Sequence, residues 1–380
     1  MHKPKVFFMI PNLNGGGAER VFINIVNNLD QDKYEIKIIV GKLVGPYVKY
    51  INNNLKIYEL GKMGAINSIV PIIKLLWKEK PDLIFSTLGF VVSTNLAAIF
   101  SLKKIKTVAR FGNTIKPYLD DIKKKGYIYY YLQKKIHLLI IHLSDYLIVQ
   151  SDYMKRDIVQ LYNLNPNLEA KIIKINNPVD VSHINQMAND DVNFRGREDL
   201  KTIRFVSVGR LEYQKGYDYL IKAFFTVRSH IQNTTLIIVG KGSEREKLQK
   251  LINELELNNC VYLIGFSDNP YIYIKNADIY VSSSRYEGFS NTVLESLIIG
   301  VPVVATDCPS GIQELIKEGS NGWLVNINDD IESNLAKIMM VAAKEYKFLD
   351  MKKEKQPVEL NYCIEEISKK YENLIDSINN

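Results

Sequence analysis

The sequence predicts an α/β fold made of two doubly wound domains. Three observations carry that prediction: short Ile- and Val-rich runs that are apolar almost throughout, helical stretches between them, and a polar break near the middle after which the alternation restarts. Near-continuous apolarity is what parallel strands buried on both faces need. Strand–helix alternation is the pattern of a sheet wound by crossover helices.

In the first half, strands are expected at 6–10, 34–40, 55–60, 82–87, 106–111, 145–150 and 171–176, with helices such as 18–28 and 66–78 between them. The alternation pauses at 183–200, a polar stretch with Asn189-Asp190-Asp191 and Arg195-Gly196-Arg197, which reads as an interdomain linker. The second series has strands at 204–208, 235–239, 261–264, 278–282 and 301–306. Domains are therefore expected at 1–182 and 201–361, and an amphipathic helix over about 362–380 is expected to pack back on the first. Two open sheets in one chain imply a cleft, with ligands beyond the carboxyl ends of the strands.

Composition removes other classes. With 46 % hydrophobic and 24 % charged residues, the 380-residue chain is not mainly disordered, collagenous or an integral membrane bundle. No stretch reaches 18 apolar residues, so no transmembrane helix is expected. The start, MHKPKVFFMIPNLNGGG, has an apolar run of five residues and no cleavage signature, and reads as a first strand. Cys260, Cys308 and Cys363 lack CxxC spacing and cannot all pair, which fits a reducing cytoplasm. Residues 1–180 carry 26 Lys+Arg against 14 Asp+Glu, whereas the remainder carries 23 against 28. A basic first half points to an anionic partner: a nucleic acid, an anionic lipid surface or a phosphorylated acceptor. A merely solvated lysine-rich surface is the alternative.

Three motifs can carry chemistry. Asn14-Gly15-Gly16-Gly17-Ala18-Glu19-Arg20 follows the first strand and opens a helix, so Gly16 and Gly17 can bring backbone amides close to an anion. Arg20 stands where a dinucleotide fingerprint needs its third glycine, which weakens a nicotinamide reading and leaves a flexible turn as the alternative. Ser207-Val208-Gly209-Arg210-Leu211-Glu212-Tyr213-Gln214-Lys215-Gly216 places Arg210 and Lys215 at a strand end, where a planar fork and a mobile point charge can clamp a diphosphate. The densest is Arg285-Tyr286-Glu287-Gly288-Phe289-Ser290-Asn291-Thr292-Val293-Leu294-Glu295. There Glu287 ends a loop after a buried strand, Gly288 permits close approach, Asn291 can cap a helix, and Glu295 lies one turn in, able to accept from two ribose hydroxyls. A capped surface helix with two solvated acids is the plain reading of the same residues.

Together GGGAER, SVGRLEYQKG, IVGKGSEREKL, EGFSNTVLESLIIGVPVVATD and NGWLV resemble the family-4 retaining glycosyltransferases of the GT-B fold, in the family's order and over nearly the whole chain. The resemblance implies two Rossmann-like domains facing each other across a cleft. It implies that Arg210 and Lys215 hold the donor diphosphate and Gly16 and Gly17 approach it from the other lobe. Glu287 would contact the transferred sugar and Glu295 the ribose. Amides of Gly288, Phe289 and Ser290 would reach sugar hydroxyls, those of Asn291 and Thr292 the phosphate, and the backbone of Ile264 the base. The family's first-half histidine is replaced here by the neighbourhood Thr107–Asn113, and the RxxN pattern resembles a subset acting in surface-polysaccharide assembly. Arg110 and Asn113 are accordingly expected in the cleft, with Asn95 a lesser candidate.

No metal or cofactor is expected, since protein cations and helix dipoles can offset the diphosphate. Asp30-Gln31-Asp32 matches a metal-binding DxD, but its place between a helix and a strand reads as a polar turn. His137 and His142 read as packing or surface residues. In 122–143, Lys123-Lys124-Lys125, Tyr127, Tyr129, Tyr130, Tyr131, Lys134 and Lys135 precede an apolar run, which suits either a bilayer interface or a long core-facing helix. The expected activity is transfer of a hexose or N-acetylhexosamine from a nucleotide sugar, UDP-linked, to a lipid-diphosphate-linked saccharide in surface-polysaccharide or lipopolysaccharide synthesis. The expected setting is cytoplasmic, peripheral on an anionic membrane surface, with no nucleic-acid partner. The alternatives are a GT-B sugar-nucleotide epimerase and a non-catalytic sugar- or lipid-binding relative.

Overall fold

The computed structural model describes residues 3–14, 16–62, 64–190 and 202–379. The expected linker residues 191–200, and Gly15 of the glycine motif, lie outside them. The chain divides into two compact units, Met1–Val179 with Tyr362–Asn380, and Asp180–Asn361.

Unit one holds seven strands: β1 (Lys5–Ile10), β2 (Glu35–Val40), β3 (Lys56–Glu59), β4 (Leu83–Thr87), β5 (Lys106–Arg110), β6 (Tyr146–Val149) and β7 (Ile172–Lys174). All neighbours are parallel, in the order β3-β2-β1-β4-β5-β6-β7. Side chains alternate between the two faces of a strand, so each face has its own core. Val6, Phe8 and Ile10 meet Phe85, helix Gly17–Asn28 and helix Ile364–Asn379 on one face. Phe7 and Met9 meet helices Ala65–Glu79 and Phe90–Phe100 on the other, where helices Ile115–Lys123 and Tyr127–Leu143 also pack.

Helix Ile364–Asn379 belongs to unit one because it supplies Ile367, Tyr371, Leu374 and Ile375 to the first of these cores. Its polar edge is fastened too: Asp376 accepts from Lys33 Nζ at 2.6 Å and Tyr34 Oη at 2.7 Å, and Glu372 accepts from the Asp30 amide at 2.9 Å. The Asp30-Gln31-Asp32 segment is a turn closed by Asp30 Oδ1, which accepts from the amides of Asp32 and Lys33.

Unit two holds six parallel strands: β8 (Ile203–Val208), β9 (Thr234–Val239), β10 (Val261–Gly265), β11 (Ile279–Ser282), β12 (Val303–Thr306) and β13 (Gly322–Val325), in the order β10-β9-β8-β11-β12-β13. The edge strand β13 adds to the five expected from sequence. The start of the expected linker is also different: residues Val181–Ala188 form a helix, capped by Asp180 Oδ1 accepting from the His183 amide at 2.9 Å. Ile184 and Ala188 are its buried face.

In unit one, His137 sits mostly buried with its ring edge-on to Phe111 and Tyr118 at 5.9 and 6.0 Å, and its Nδ1 has no hydrogen-bond partner among the described residues. Burial pushes its pKa down from 6.5 to about 4. The folded state therefore binds this proton less readily than the unfolded chain, and stability falls as pH drops below about 6.5. We predict that the native protein loses about 2 kcal/mol between pH 7 and pH 5 through this group. His137→Phe should flatten that part of the pH profile in urea titrations, and an unchanged slope would exclude His137 as its source.

Candidate active site

In unit two the strand order reverses between β8 and β11, the switch point at which open α/β sheets bind their ligands. The segments at that point are 209–216 after β8 and 283–290 after β11. Glycine makes their close approach possible. A Cβ on Gly216, at φ +62°, would lie 2.1 Å from the Ser283 carbonyl oxygen, and one on Gly240, at φ +153°, would lie 1.8 Å from the Gly209 carbonyl oxygen. Only a residue without a side chain lets these turns touch.

Arg285 then locks the two segments together. Its Nη1 and Nη2 donate to the Asp218 carboxylate at 2.9 and 2.6 Å, and Nη1 also donates to the Tyr213 carbonyl at 2.7 Å. The guanidinium lies between the rings of Tyr213 and Tyr219, 3.9 and 4.0 Å from their centroids. Burial works to raise the Asp218 carboxyl, but Arg285 overrides it and the net shift is downward. The Arg285 amide donates to the Gln214 carbonyl at 2.8 Å.

The lock holds Lys215 against Glu287, with Nζ 2.5 Å from Oε1. Burial alone depresses the ammonium, and the Glu287 charge more than reverses this, leaving Lys215 above its ordinary range. Ser284 Oγ donates to the same Oε1 at 2.7 Å, and Gln214 Nε2 donates to Oε2 at 3.3 Å. A carboxylate offers about four acceptor sites, so Glu287 retains one on Oε2. Arg210, in contrast, is exposed, and its guanidinium makes no hydrogen bond or ion pair with the described residues. Its charge is close enough to act on Lys215.

Helix Asn291–Ile299 starts at this point, with Ser290 as its N-cap and Asn291 as its first residue. Asn291 was expected to be the cap; the extended backbone of Ser290, at ψ 95°, moves the cap one residue earlier. Ser290 is 3 % exposed, yet its Oγ has no hydrogen-bond partner among the described residues and does not cap the helix. A buried hydroxyl of this kind beside a helix N-terminus is equipped to meet an anion or a sugar hydroxyl. Glu295 lies one turn into the helix and is buried, as is Phe289. The Gly288 carbonyl accepts from the Gly311 amide at 3.3 Å. Behind the loop, burial pushes the Cys308 thiol up to about 12, so it is not a thiolate nucleophile.

Ile264 stands at the same end of the sheet. The β10–β9 register passes from Leu263 opposite Ile238 to Gly265 opposite Val239, so Ile264 is skipped as in a bulge. Unit two thus gathers Arg210, Lys215, Glu287, Gly288, Phe289, Ser290, Asn291, Thr292 and Glu295 around the β8 and β11 ends, with Ile264 at the end of β10.

The remaining expected residues belong to unit one. Gly16 is the N-cap and Gly17 the first residue of helix Gly17–Asn28, directly after β1. Arg110 ends β5 but is 5 % exposed. Strand alternation turns it to the face of Val108, where Nη2 donates to Asn177 Oδ1 at 2.5 Å and Tyr371 is a hydrogen-bond neighbour, while Nε and Nη1 have no partner among the described residues. Asn113 Oδ1 accepts from the Thr114 amide at 3.0 Å. Asn95 is a core residue, donating to Ser144 Oγ at 2.9 Å.

Gln214, Asp218 and Ser284 are not evident as site residues from sequence, and the motif alone assigns Arg285 no role. Only the Arg285 motif position was a visible signal; its partner Asp218 lies 67 residues away. We predict that Arg285→Lys, which cannot keep both the fork and the stacking, destabilises the protein by about 1–2 kcal/mol in urea unfolding. Unchanged stability would show that the lock is idle.

Two family descriptions match the chain in sequence: Glycosyltransferase Family 4 over residues 15–183 and Glycosyl transferases group 1 over residues 189–356. An uncharacterized glycosyltransferase of Methanocaldococcus jannaschii is 31 % identical over 69 % of this chain, a match that takes in 63 % of that relative. The N-acetylgalactosamine-N,N'-diacetylbacillosaminyl-diphospho-undecaprenol 4-alpha-N-acetylgalactosaminyltransferase of Campylobacter jejuni is 29 % identical over 86 % of this chain and 87 % of its own. In structure, Anabaena Alr3699/HepE, solved with UDP and glucose, superposes with a TM-score of 0.76 at 17 % identity, covering 98 % of this chain and 99 % of that one. Two parallel Rossmann-like sheets, the order of the motifs along them and the matches to both halves lead to one conclusion: the chain belongs to the family-4 glycosyltransferases of the GT-B fold.

Proposed function

We propose that the protein is a retaining hexosyl- or N-acetylhexosaminyltransferase that uses a UDP-sugar and a lipid-diphosphate-linked saccharide acceptor in surface-polysaccharide synthesis, working at an anionic membrane surface. The observation that carries this reading is the Lys215–Glu287 pair, beside an Arg210 with no partner among the described residues, at the start of helix Asn291–Ile299. Two cations and a helix N-terminus suit a diphosphate, and an acidic group with one acceptor site left suits a sugar hydroxyl. The Campylobacter jejuni relative, whose acceptor is diphospho-undecaprenol-linked, supports the acceptor class, and the Anabaena protein with UDP supports the base.

On this reading Arg210 grips the diphosphate with its fork, while Lys215 shares its charge between Glu287 and the phosphates. The raised pKa of Lys215 keeps it cationic through neutral pH. As the bond from the anomeric carbon to the phosphate oxygen breaks, these cations and the helix dipole offset charge on the leaving UDP. The acceptor hydroxyl bonds to the same face of that carbon, and its proton passes to the departing phosphate oxygen. Glu287 orients the sugar, Glu295 the ribose, and the bulged backbone at Ile264 lies at the strand end assigned to the base.

The test begins with thermal shifts against UDP-, GDP- and ADP-sugars, since a bound ligand raises apparent stability. UDP-sugars should give the largest shift, and Lys215→Ala should mainly weaken donor use. Glu287→Gln should lower transfer by a hundredfold or more, on the order of the loss of one preorganised polar contact. Wild-type turnover by the Glu287 variant would remove that residue from the mechanism. Isomerised sugar nucleotide released without any acceptor would replace the transferase reading with an epimerase.

A further inference from the structure

Helices Ala65–Glu79, Phe90–Phe100 and Tyr127–Leu143 of unit one lie on one sheet face, opposite the face that carries helix Ile364–Asn379. Their inner sides fill the core, as expected. Their outer sides expose large apolar residues as well, set among lysines and a few other polar groups. On helix Ala65–Glu79 the solvent-facing row is Ile66, Val70, Lys74 and Trp77, with Ile66 82 % exposed. On helix Tyr127–Leu143 the corresponding row is Ile128, Leu132, Lys135 and Leu139, with Ile128 83 % exposed. Each row follows the same helical spacing of i, i+4, a lysine one turn on, and i+11. Beyond the end of the middle helix, Leu102 is 92 % exposed and Lys103 and Lys104 follow it.

Exposed apolar surface on this scale marks an interaction face. The charge identifies the partner. Residues 62–143 hold 13 lysines, besides Arg110 on the opposite sheet face, and four Asp+Glu. The three helices contain a single carboxylate, Glu79, which points away from the rows to pair with Lys37 at 2.5 Å. Lys123 lies 5.2 and 5.8 Å from the rings of Tyr127 and Tyr130, giving a mixed basic and aromatic belt at the start of helix Tyr127–Leu143. No described helix is long and apolar enough to cross a bilayer.

We infer that this three-helix face of unit one lies flat in the headgroup region of an anionic bilayer. Ile66, Val70, Ile128 and Leu132 enter the acyl boundary, and the lysines meet lipid phosphates. The inference deepens the acceptor reading above and rests on it for its purpose, because a lipid-linked saccharide is presented at such a surface.

The full chain is mixed, without sugar nucleotide, with phosphatidylglycerol-containing vesicles and with phosphatidylcholine vesicles, and both are sedimented. The protein should pellet with the anionic vesicles and stay in solution with the neutral ones. The combined substitutions Ile66→Ser, Val70→Ser, Ile128→Ser and Leu132→Ser should abolish pelleting. Lys123→Gln, Lys124→Gln and Lys125→Gln together should weaken it on the order of a hundredfold, from about fivefold per lysine. UDP-induced thermal shifts, measured without vesicles, should be unchanged in both variants. That separates failure here from failure of the donor site, which lies in unit two. Wild-type protein left in the supernatant at low salt, or serine variants that pellet like the wild type, would overturn the inference. So would a solution dimer that the serine substitutions dissolve, which would assign the rows to a second copy.

Discussion

The contact between Lys215 and Glu287 sets the demands that the rest of unit two meets. Two charges withdrawn from water each lose several kcal/mol of hydration, and their attraction compensates only when geometry is good and the spare lone pairs are satisfied. The loops after β8 and β11 provide both. Ser284 and Gln214 satisfy the carboxylate, Ser283 Oγ donates to the Lys215 carbonyl at 2.9 Å, and Arg285 fixes the spacing of the segments that carry the pair. The Thr306 hydroxyl adds a tie from β12, donating to the Ser284 carbonyl at 2.6 Å. Such a network has few alternative arrangements, so a ligand finds the charges already placed.

Unit one solves a different problem. Its sheet is covered on both faces, so its strands are mostly apolar and leave few side chains for chemistry. Polar groups that do enter are consumed structurally. Asp157 receives the amides of Ile115 and Lys116 at 2.8 and 3.0 Å and so caps helix Ile115–Lys123 from a neighbouring helix. Burial raises its pKa, with the two amides pulling the other way. Arg110 is likewise drawn inward, toward Asn177 and Tyr371.

Much of this was legible in the sequence because buried parallel strands announce themselves by unbroken Ile and Val. β13 was not, since Gly322–Val325 is four residues long and begins with glycine. Residues 183–188 of helix Val181–Ala188 read as linker because the buried face of this helix amounts to two residues, Ile184 and Ala188, within a polar run. In the site, Lys215, Glu287 and Arg210 stand out because they sit at strand ends within recognisable motifs. The Arg285–Asp218 lock does not, because a bidentate contact between loops depends on fold geometry that no local spacing encodes. The turn of Arg110 onto the Val108 face follows from a two-residue period, a cue available in the sequence but outweighed by the motif around it.

The return of helix Ile364–Asn379 to unit one has a consequence for biogenesis. Four side chains of the first core, Ile367, Tyr371, Leu374 and Ile375, are encoded after the whole of Asp180–Asn361. During translation the amino-terminal sheet must therefore wait, one hydrophobic face only partly covered by helix Gly17–Asn28, while the later and contiguous half emerges with every residue it needs. The usual vectorial order, in which the first-made domain is the first to finish, is inverted in this chain. A nascent polypeptide stalled short of residue 367 displays an open apolar surface to chaperones.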